Sequence, residues 1–528
     1  MRDFHFNGRS PTLGINGMVA TSHPLAASEA LDVLKSGGNA VDAAIAGAVL
    51  LGVCEPHMTG IGGDCFALIK PAGSNEVTSL NASGRAPSGL DAEVLRQQGM
   101  TAIEDSHHAA ITLPGAIDGF CRLSERFGRL GLDRSLAPAI RYFDEGVPIA
   151  SRVSFDLKDL GDHMNEAARR TYLKAGRPLV HGETLRLPGQ ADVLRRIAAK
   201  GRAAFYEGEV AADMLAAVHA VGGAHTEEDF AAVEATWGTP ISGPYRGHDL
   251  LEHPPNGQGA TAILLCNILA QFDIQAVGPN SPERFHLEAE ASKLAYDTRN
   301  RFLSDPDYMT RLDHMLSSET ADKLAGLIDP ERAMPMPPPL AEQVHRDTVL
   351  ITVVDGEGMA ISLIYSLFAS FGSGVATSDF GILMHNRGCG FNLTPGHPNE
   401  AGPGKRPLHT ILPAMRATNG KIDMSFGVMG GQYQATGHAH VMSNMIDFGM
   451  DPQEAIDAPR AFPDPWSGAL RVENTLKDST LEALSNKGHT LTRDEGPIGG
   501  AQAILIDHER GMLVGASDPR KDGLAIGF

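Results

Sequence analysis

Ala333-Met334-Pro335-Met336-Pro337-Pro338-Pro339-Leu340 leads, through residues 341–347, into Thr348-Val349-Leu350-Ile351-Thr352-Val353-Val354. Four prolines in eight residues cannot continue a helix or a central strand, so 333–347 reads as an extended connector. The apolar, β-branched run from Thr348 is a strand. Asp355-Gly356-Glu357-Gly358 is a turn, and 359–366 returns as a second strand, which makes a β-hairpin. Both strands are largely apolar, which predicts burial on both faces.

Thr348 stands where the tether stops. If the Asp347–Thr348 bond were cut, its hydroxyl would lie beside its own α-amino group. That amine has a pKa of about 7.7–8.0, suited to proton transfer near neutrality. Threonine with an N-terminal amine is a working nucleophile pair. A threonine opening a strand is ordinarily structural, so the feature needs company. Gly427-Val428-Met429-Gly430-Gly431-Gln432 precedes a helical pattern and offers backbone N–H groups to an oxyanion. Its competing reading is a tight strand-to-helix turn. Pro403-Gly404-Lys405-Arg406-Pro407-Leu408-His409-Thr410 gathers two cations, an imidazole and a hydroxyl, and its competing reading is a solvated basic loop.

Outward from this centre, 17–22 reads as a strand and 24–36 as a helix closed by Gly37-Gly38. Asn39 caps an Ala-rich helix over 40–54 that is buried on most faces. Residues 115–330 read as mainly helical, with helices at 190–200, 209–221 and 282–303. Further helices fall at 435–448 and 481–487, and the last strand at 501–507. Asp42, Glu55 and Asp64 read as turn caps. His438-Ala439-His440 on a helix points its rings to different faces, so it reads as packing rather than a metal site. Neither a metal nor a cofactor is expected.

Composition bounds the partners. The 528 residues are 42% hydrophobic and 20% charged, which is ordinary for a globular chain. The net charge of −20 disfavours nucleic acid and anionic membrane surfaces. The five cysteines include no CxxC pair, and the N-terminus has no secretory apolar core. The apolar stretch 40–54 contains Asp42 and is too short to span a bilayer. These features lead us to expect a cytoplasmic protein.

The set Asn39-Ala40-Val41-Asp42-Ala43-Ala44, Glu55 to Asp64, Leu113-Pro114-Gly115, Ala289-Glu290-Ala291, Phe371-Gly372-Ser373-Gly374, Gly404-Lys405-Arg406-Pro407-Leu408, Gly430-Gly431 and Ala458-Pro459-Arg460 resembles the γ-glutamyltransferases. The motifs stand in family order over nearly the whole chain. The resemblance implies an N-terminal nucleophile hydrolase with a four-layer αββα sandwich, formed jointly by two autoproteolytic fragments. Here they would be a large subunit, 1–347, and a small subunit, 348–528, cut between Asp347 and Thr348. It implies Thr348 as nucleophile and, through its freed amine, base; Ser366 as its hydrogen-bonding partner; and Gly430 and Gly431 as oxyanion hole. The fragments would form an obligate heterodimer, with a dimer of heterodimers left open.

Departures from the family's γ-glutamyl pattern bear on substrate. Ser83 replaces an arginine, Phe368 an asparagine and Gly390 an acidic residue. His409-Thr410 replaces two serines, and Val349 follows the nucleophile in place of threonine. A substrate ammonium would be left unpaired there, and an unpaired buried charge is costly. Arg387, where the family has a neutral residue, suits a carboxylate clamp, with a surface or inter-subunit salt bridge as the alternative. Arg387, His409, Thr410, Arg85 and Phe368 are therefore the expected substrate-binding residues. Asn386-Arg387-Gly388, 405–410 and 515–520 are similar to the oxamate amidohydrolase branch, which implies hydrolysis of a small anionic amide through an acyl-Thr348 intermediate. True γ-glutamyl hydrolysis or transfer, as on glutathione, is the alternative within the family. A catalytically silent scaffold is the alternative outside it.

Overall fold

A computed structural model describes residues 8–159, 163–335, 347–465, 467–493 and 496–528. Most of the expected connector, residues 336–346, lies outside the described residues. Two seven-stranded sheets face each other, and every neighbouring pair of strands in them is antiparallel. One sheet runs Leu524–Gly527, Gly17–Thr21, Asp347–Asp355, Ala360–Phe368, Asp64–Lys70, Thr78–Ala82, Thr236–Gly238. The other runs Thr12–Gly14, Met512–Ser517, Gly500–Asp507, Lys421–Met429, Pro413–Thr418, His248–Glu252, Ile241–Tyr245.

The alternation of strand side chains decides the layering. Val349, Ile351 and Val353, with Ile361, Leu363, Tyr365 and Leu367, join a core under the helices Pro24–Lys35, Ala40–Cys54, Leu132–Glu145 and Pro188–Lys200. Leu350, Val354, Ala360 and Ile364 point the other way, into the interface between sheets. There the Thr352 hydroxyl donates to Ser425 Oγ at 2.7 Å, and Ser362 donates to the Phe426 carbonyl at 2.8 Å. Helices Gly259–Leu269, Pro282–Phe302 and Tyr433–Ile446 cover the outer face of the second sheet. The expected four-layer αββα sandwich is present.

The helix Ala40–Cys54 is buried at every position, which is why its sequence carries no polar face. Asn39 and Asp42 form a reciprocal capping box at its start, as expected of that cap. The Asp42 carboxylate also collects the N–H groups of Arg129 and Leu130. No described helix is long and apolar enough to cross a membrane.

Three sequence expectations need correction. The strand at Gly500–Asp507 is not the last, because Met512–Ser517 and Leu524–Gly527 follow it. The stretch 115–330 is not simply helical, since Thr236–Gly238, Ile241–Tyr245 and His248–Glu252 edge the two sheets. The late helices are Tyr433–Ile446 and Asp478–Asn486, shifted by one to three residues from the expected ends.

Candidate active site

The site lies at one end of the sandwich, where Asp347–Asp355 begins, Ala360–Phe368 ends, Asp64–Lys70 begins and Lys421–Met429 ends. Thr348 has the parity of Leu350 and Thr352, so it faces the second sheet. Ser366 shares that face through Ile364 and Ser362, and Asp64 shares it through Phe66 and Leu68. The Thr348 hydroxyl donates to Ser366 Oγ at 3.3 Å, and Ser366 Oγ accepts the Phe368 N–H at 2.8 Å. Thr348 and Ser366 are both buried. Ser366 is directly paired with Asp64 across the strands.

The cross-sheet register brings the paired glycines to Thr348. Thr352 meets Ser425, and Leu350 packs against Gly427. Two residues further in each direction, Thr348 is level with Met429, the last residue before Gly430-Gly431. Gly430 has φ +127° and Gly431 φ +57°, which an L side chain rarely adopts. A Cβ on Gly430 would come within 2.8 Å of Gly499 Cα. The turn is braced from behind. Gln258 Nε2 donates to the Thr410 carbonyl at 2.8 Å and to the Gly431 carbonyl at 3.4 Å. The Arg299 guanidinium holds both Gln258 and Gln432, donating to Gln258 Oε1 at 2.7 Å.

Beside this pair sits a wholly buried charged cluster. Asp64 Oδ2 lies 3.1 Å from His409 Nε2, 3.3 Å from His385 Nδ1 and 3.4 Å from Arg387 Nε, all four side chains being 0% exposed. Asp64 Oδ1 accepts the Gly84 N–H at 3.0 Å. Burial alone would raise the Asp64 carboxyl, but His385, His409 and Arg387 together hold it well below the usual carboxylate range. Burial and the Arg387 charge push His409 down to about 3, and burial brings Arg387 down to about 10. Asp64 is therefore an anion, Arg387 a cation and His409 neutral across the physiological range.

Arg387 has one arm committed and one open. Nη1 donates to Thr410 Oγ1 at 3.3 Å, and the guanidinium stacks on Phe368, 4.2 Å from the ring centroid. Nη2 is buried and has no hydrogen-bond partner among the described residues. Phe368 itself sits at φ +80°, a strained backbone costing about 1–3 kcal/mol that the surrounding fold must over-determine.

Of the residues expected from sequence, Thr348 and Ser366 are in contact. Arg387, Phe368, His409 and Thr410 converge next to them, and Gly430-Gly431 form a left-handed turn at the same level. Arg387 is thus buried rather than at the surface, and its 3.4 Å ion pair with Asp64 does join the two expected fragments, as the alternative reading had it, while Nη2 stays open for a ligand. The 403–410 loop is not solvated at His409 or Arg406. Arg85 does not join them. Its side chain is 40% exposed, 3.6 Å from Asp305, and donates to the Gly404 carbonyl at 2.8 Å. The buried cation of that region is Arg406, which donates to the Ser83 and Glu234 carbonyls. Asp64, expected to be a turn cap, does bind the Gly84 N–H but is chiefly the counter-ion of the cluster. His385 was not singled out by sequence. The one available signal is the polar run His385-Asn386-Arg387 directly after Ile382-Leu383-Met384.

Elsewhere, the buried trio His286, Glu290 and His489 brings its ligand atoms within 4.8 Å of one another. Lys293 already donates to Glu290 at 2.7 Å, and the imidazoles hydrogen-bond each other at 2.8 Å. Glu290 and Lys293 take the N–H and carbonyl of Met334, so the cluster grips the start of the connector. His438 and His440 are buried, paired with Glu252 and Glu288 respectively. Their rings diverge as the helical spacing implies.

A family model described as gamma-glutamyltranspeptidase matches residues 26–528. The chain belongs to the gamma-glutamyltranspeptidase family. It is 34% identical over 533 residues to the glutathione hydrolase-like YwrD proenzyme of Bacillus subtilis, covering 98% of this chain and 99% of that one. The oxamate amidohydrolase proenzyme of Klebsiella pneumoniae is 32% identical over 98% of this chain and 100% of its own. The crystal structure of cephalosporin acylase from Bacillus halodurans superposes with a TM-score of 0.92 at 38% identity, covering 100% of this chain and 98% of that one. Family membership makes the chain an enzyme, an N-terminal nucleophile hydrolase. The departure at Gly390 has a steric basis in this member of the family. A Cβ there would meet the Leu408 carbonyl oxygen at 2.4 Å, so an acidic side chain has no room to enter. Gly390→Asp is expected to cost about 1–3 kcal/mol through overpacking. It should confer no γ-glutamyl hydrolysis, as a denaturation midpoint and a γ-glutamyl-p-nitroanilide assay would show.

Proposed function

We propose that the chain cuts itself between Asp347 and Thr348, and that fragments 1–347 and 348–528 stay together as a heterodimer hydrolysing a small anionic amide of the oxamate type. In this reading the Thr348 hydroxyl attacks the amide carbonyl and the freed Thr348 amine takes its proton. Ser366 orients the hydroxyl. The Gly430 and Gly431 N–H groups receive the oxyanion. The Thr348 ammonium passes the proton to the amide nitrogen, the C–N bond breaks and ammonia departs, and water then cleaves the acyl-Thr348 ester to the free carboxylic acid and the Thr348 hydroxyl. Arg387 receives the substrate carboxylate, with Thr410 and Phe368 holding the guanidinium in place. We give Arg85 no part in it. The five cysteines are all buried free thiols, which fits the cytoplasmic setting we propose.

One observation carries the substrate class: the unmatched Nη2 of a fully buried arginine beside the Thr348–Ser366 pair. A buried donor without an acceptor costs free energy, and a substrate carboxylate supplies that acceptor. The same cluster contains no carboxylate free to pair with an α-ammonium, because Asp64 is already surrounded. Glutathione hydrolysis is kept as the comparator because the Escherichia coli glutathione hydrolase proenzyme is 34% identical over 98% of this chain. A panel of oxamate, oxamide and γ-glutamyl-p-nitroanilide on the purified protein decides between them. We expect oxamate to be turned over and the γ-glutamyl compound to be poor. Arg387→Lys should raise KM for oxamate about 10- to 150-fold, equivalent to about 1.5–3 kcal/mol of lost charge-assisted bonding. A preferred γ-glutamyl substrate would overturn the substrate class. Inactivity on all three, with an unbroken chain by intact mass, would instead favour a silent scaffold.

A further inference from the structure

The hydrogen bonds around His385 leave one of its ring nitrogens in an unusual position. Its Nε2 faces the Leu113 carbonyl at 3.3 Å and the Thr112 hydroxyl at 3.4 Å. A carbonyl accepts only, so Nε2 carries the proton. In the neutral ring Nδ1 is then a bare lone pair. That lone pair is buried, has no hydrogen-bond partner among the described residues, and lies 3.3 Å from Asp64 Oδ2. Two electron-rich atoms lie in close contact, and a proton on Nδ1 would set an imidazolium charge beside the carboxylate. His409 differs, because its Nε2 already faces Asp64 and its Nδ1 accepts the Ile411 N–H at 3.4 Å, which fixes it as neutral.

What keeps the proton off His385 is burial together with the Arg387 charge. The groups facing this imidazole are Asp64, Arg387, Thr112 and the Leu113 carbonyl, with His225 close enough to act on it. Those facing Asp64 are His385, His409, Arg387 and the Gly84 N–H, with Arg406 beyond. In the free site the Asp64 and Arg387 charges cancel. A substrate carboxylate on Arg387 Nη2 adds a negative charge to a dry cluster and neutralises the cation that opposed protonation of His385. A net charge buried in low dielectric is costly, and one proton on Nδ1 removes it.

We propose that His385 is a specificity-determining residue that takes up a proton on Nδ1 when an anionic substrate docks on Arg387, completing a neutral four-charge site of Asp64, His385, Arg387 and carboxylate. The proton comes from solvent and no covalent bond changes. The inference rests on the carboxylate-clamp reading above and adds the source of the compensating charge. The liganded state binds more protons than the free state, so affinity falls as pH rises, by up to about tenfold per pH unit.

Pyruvate is the probe. It keeps the carboxylate and carbonyl of oxamate and carries a methyl group in place of the leaving amine. Titration calorimetry of the processed enzyme in buffers of different ionisation heat, from about pH 5 to about pH 8, counts protons on binding. We expect uptake of about one proton with pyruvate and none with oxamide, which has no carboxylate. His385→Gln should abolish the uptake and flatten the pH dependence. Pyruvate binding without uptake, at constant affinity over this range, overturns the inference and leaves the clamp intact. Full uptake retained in His385→Gln overturns the assignment to His385. Failure of both oxamate turnover and pyruvate binding removes the clamp itself and the inference with it. Should His385→Gln not fold, the pyruvate and oxamide pair on the unaltered enzyme still decides whether docking takes up a proton.

Discussion

Thr348→Ala protein runs as one 56.0 kDa band on a denaturing gel, where the unaltered protein gives two, and its amide hydrolysis falls by on the order of 10⁴-fold or more. The expectation follows from a single group serving two reactions. In the proposed mechanism the hydroxyl that attacks the substrate carbonyl is the one that first attacks the Asp347 carbonyl, and only that first reaction releases the amine used as base in the second. Removing Oγ1 removes both, while the strand around it keeps its packing, since the buried neighbours Val349 and Leu350 are untouched. Stepwise degradation of the smaller fragment of the unaltered protein should read Thr-Val-Leu-Ile. A Thr348→Ala chain that still divides, or a smaller fragment starting elsewhere in an active preparation, would sink the assignment of the nucleophile.

Asp64→Asn is the second large effect, and it acts on stability. The substitution is close to isosteric, keeps an acceptor for the Gly84 N–H, and removes the only carboxylate within 4.0 Å of Arg387 among the described residues. A buried cation without its partner costs about 3–5 kcal/mol. We expect the urea midpoint to fall accordingly and Arg387 to lose its fixed direction, so that oxamate turnover falls as well. Arg387→Gln in the same chain should restore much of the stability but not the activity, because two neutral partners no longer leave a charge unpaired. The pH sense follows from the carboxyl being held below its ordinary value in the folded state. The contribution of Asp64 is complete above about pH 4 and is lost only as strong acid protonates the folded carboxyl. An Asp64→Asn chain as stable as the parent would show that the cluster is solvated.

The hairpin and the capped helix over 40–54 were legible because each has a local signature. Proline density, a β-branched run and an Asn cap are properties of neighbouring residues. Some strands at or next to the sheet edges were not legible. Leu524–Gly527 and His248–Glu252 are short, and His248-Asp249-Leu250-Leu251-Glu252 has neither strand alternation nor β-branched residues. They are strands because an existing sheet offers them unpaired backbone groups. The charged cluster was hidden for a related reason. Asp64, the run His385-Asn386-Arg387 and His409 come from three separate parts of the chain, and nothing local to any of them shows that they meet. Arg85 shows the converse, since a cation at a motif position turned outward while Arg406 took the buried place.

The strand order has one further consequence. Segments on either side of the Asp347–Thr348 bond alternate within both sheets. Gly17–Thr21 is wedged between Leu524–Gly527 and Asp347–Asp355, and Ala360–Phe368 is zipped to Asp64–Lys70. In the other sheet Thr12–Gly14 joins Met512–Ser517, and His248–Glu252 joins Pro413–Thr418. Once the proposed cut is made, neither piece has a complete sheet of its own, so the parts are woven together rather than docked. Unpicked, they would have to find five seams again as separate diffusing molecules. The order of events, shape first and scission second, is therefore written into the weave itself and needs no external timekeeper.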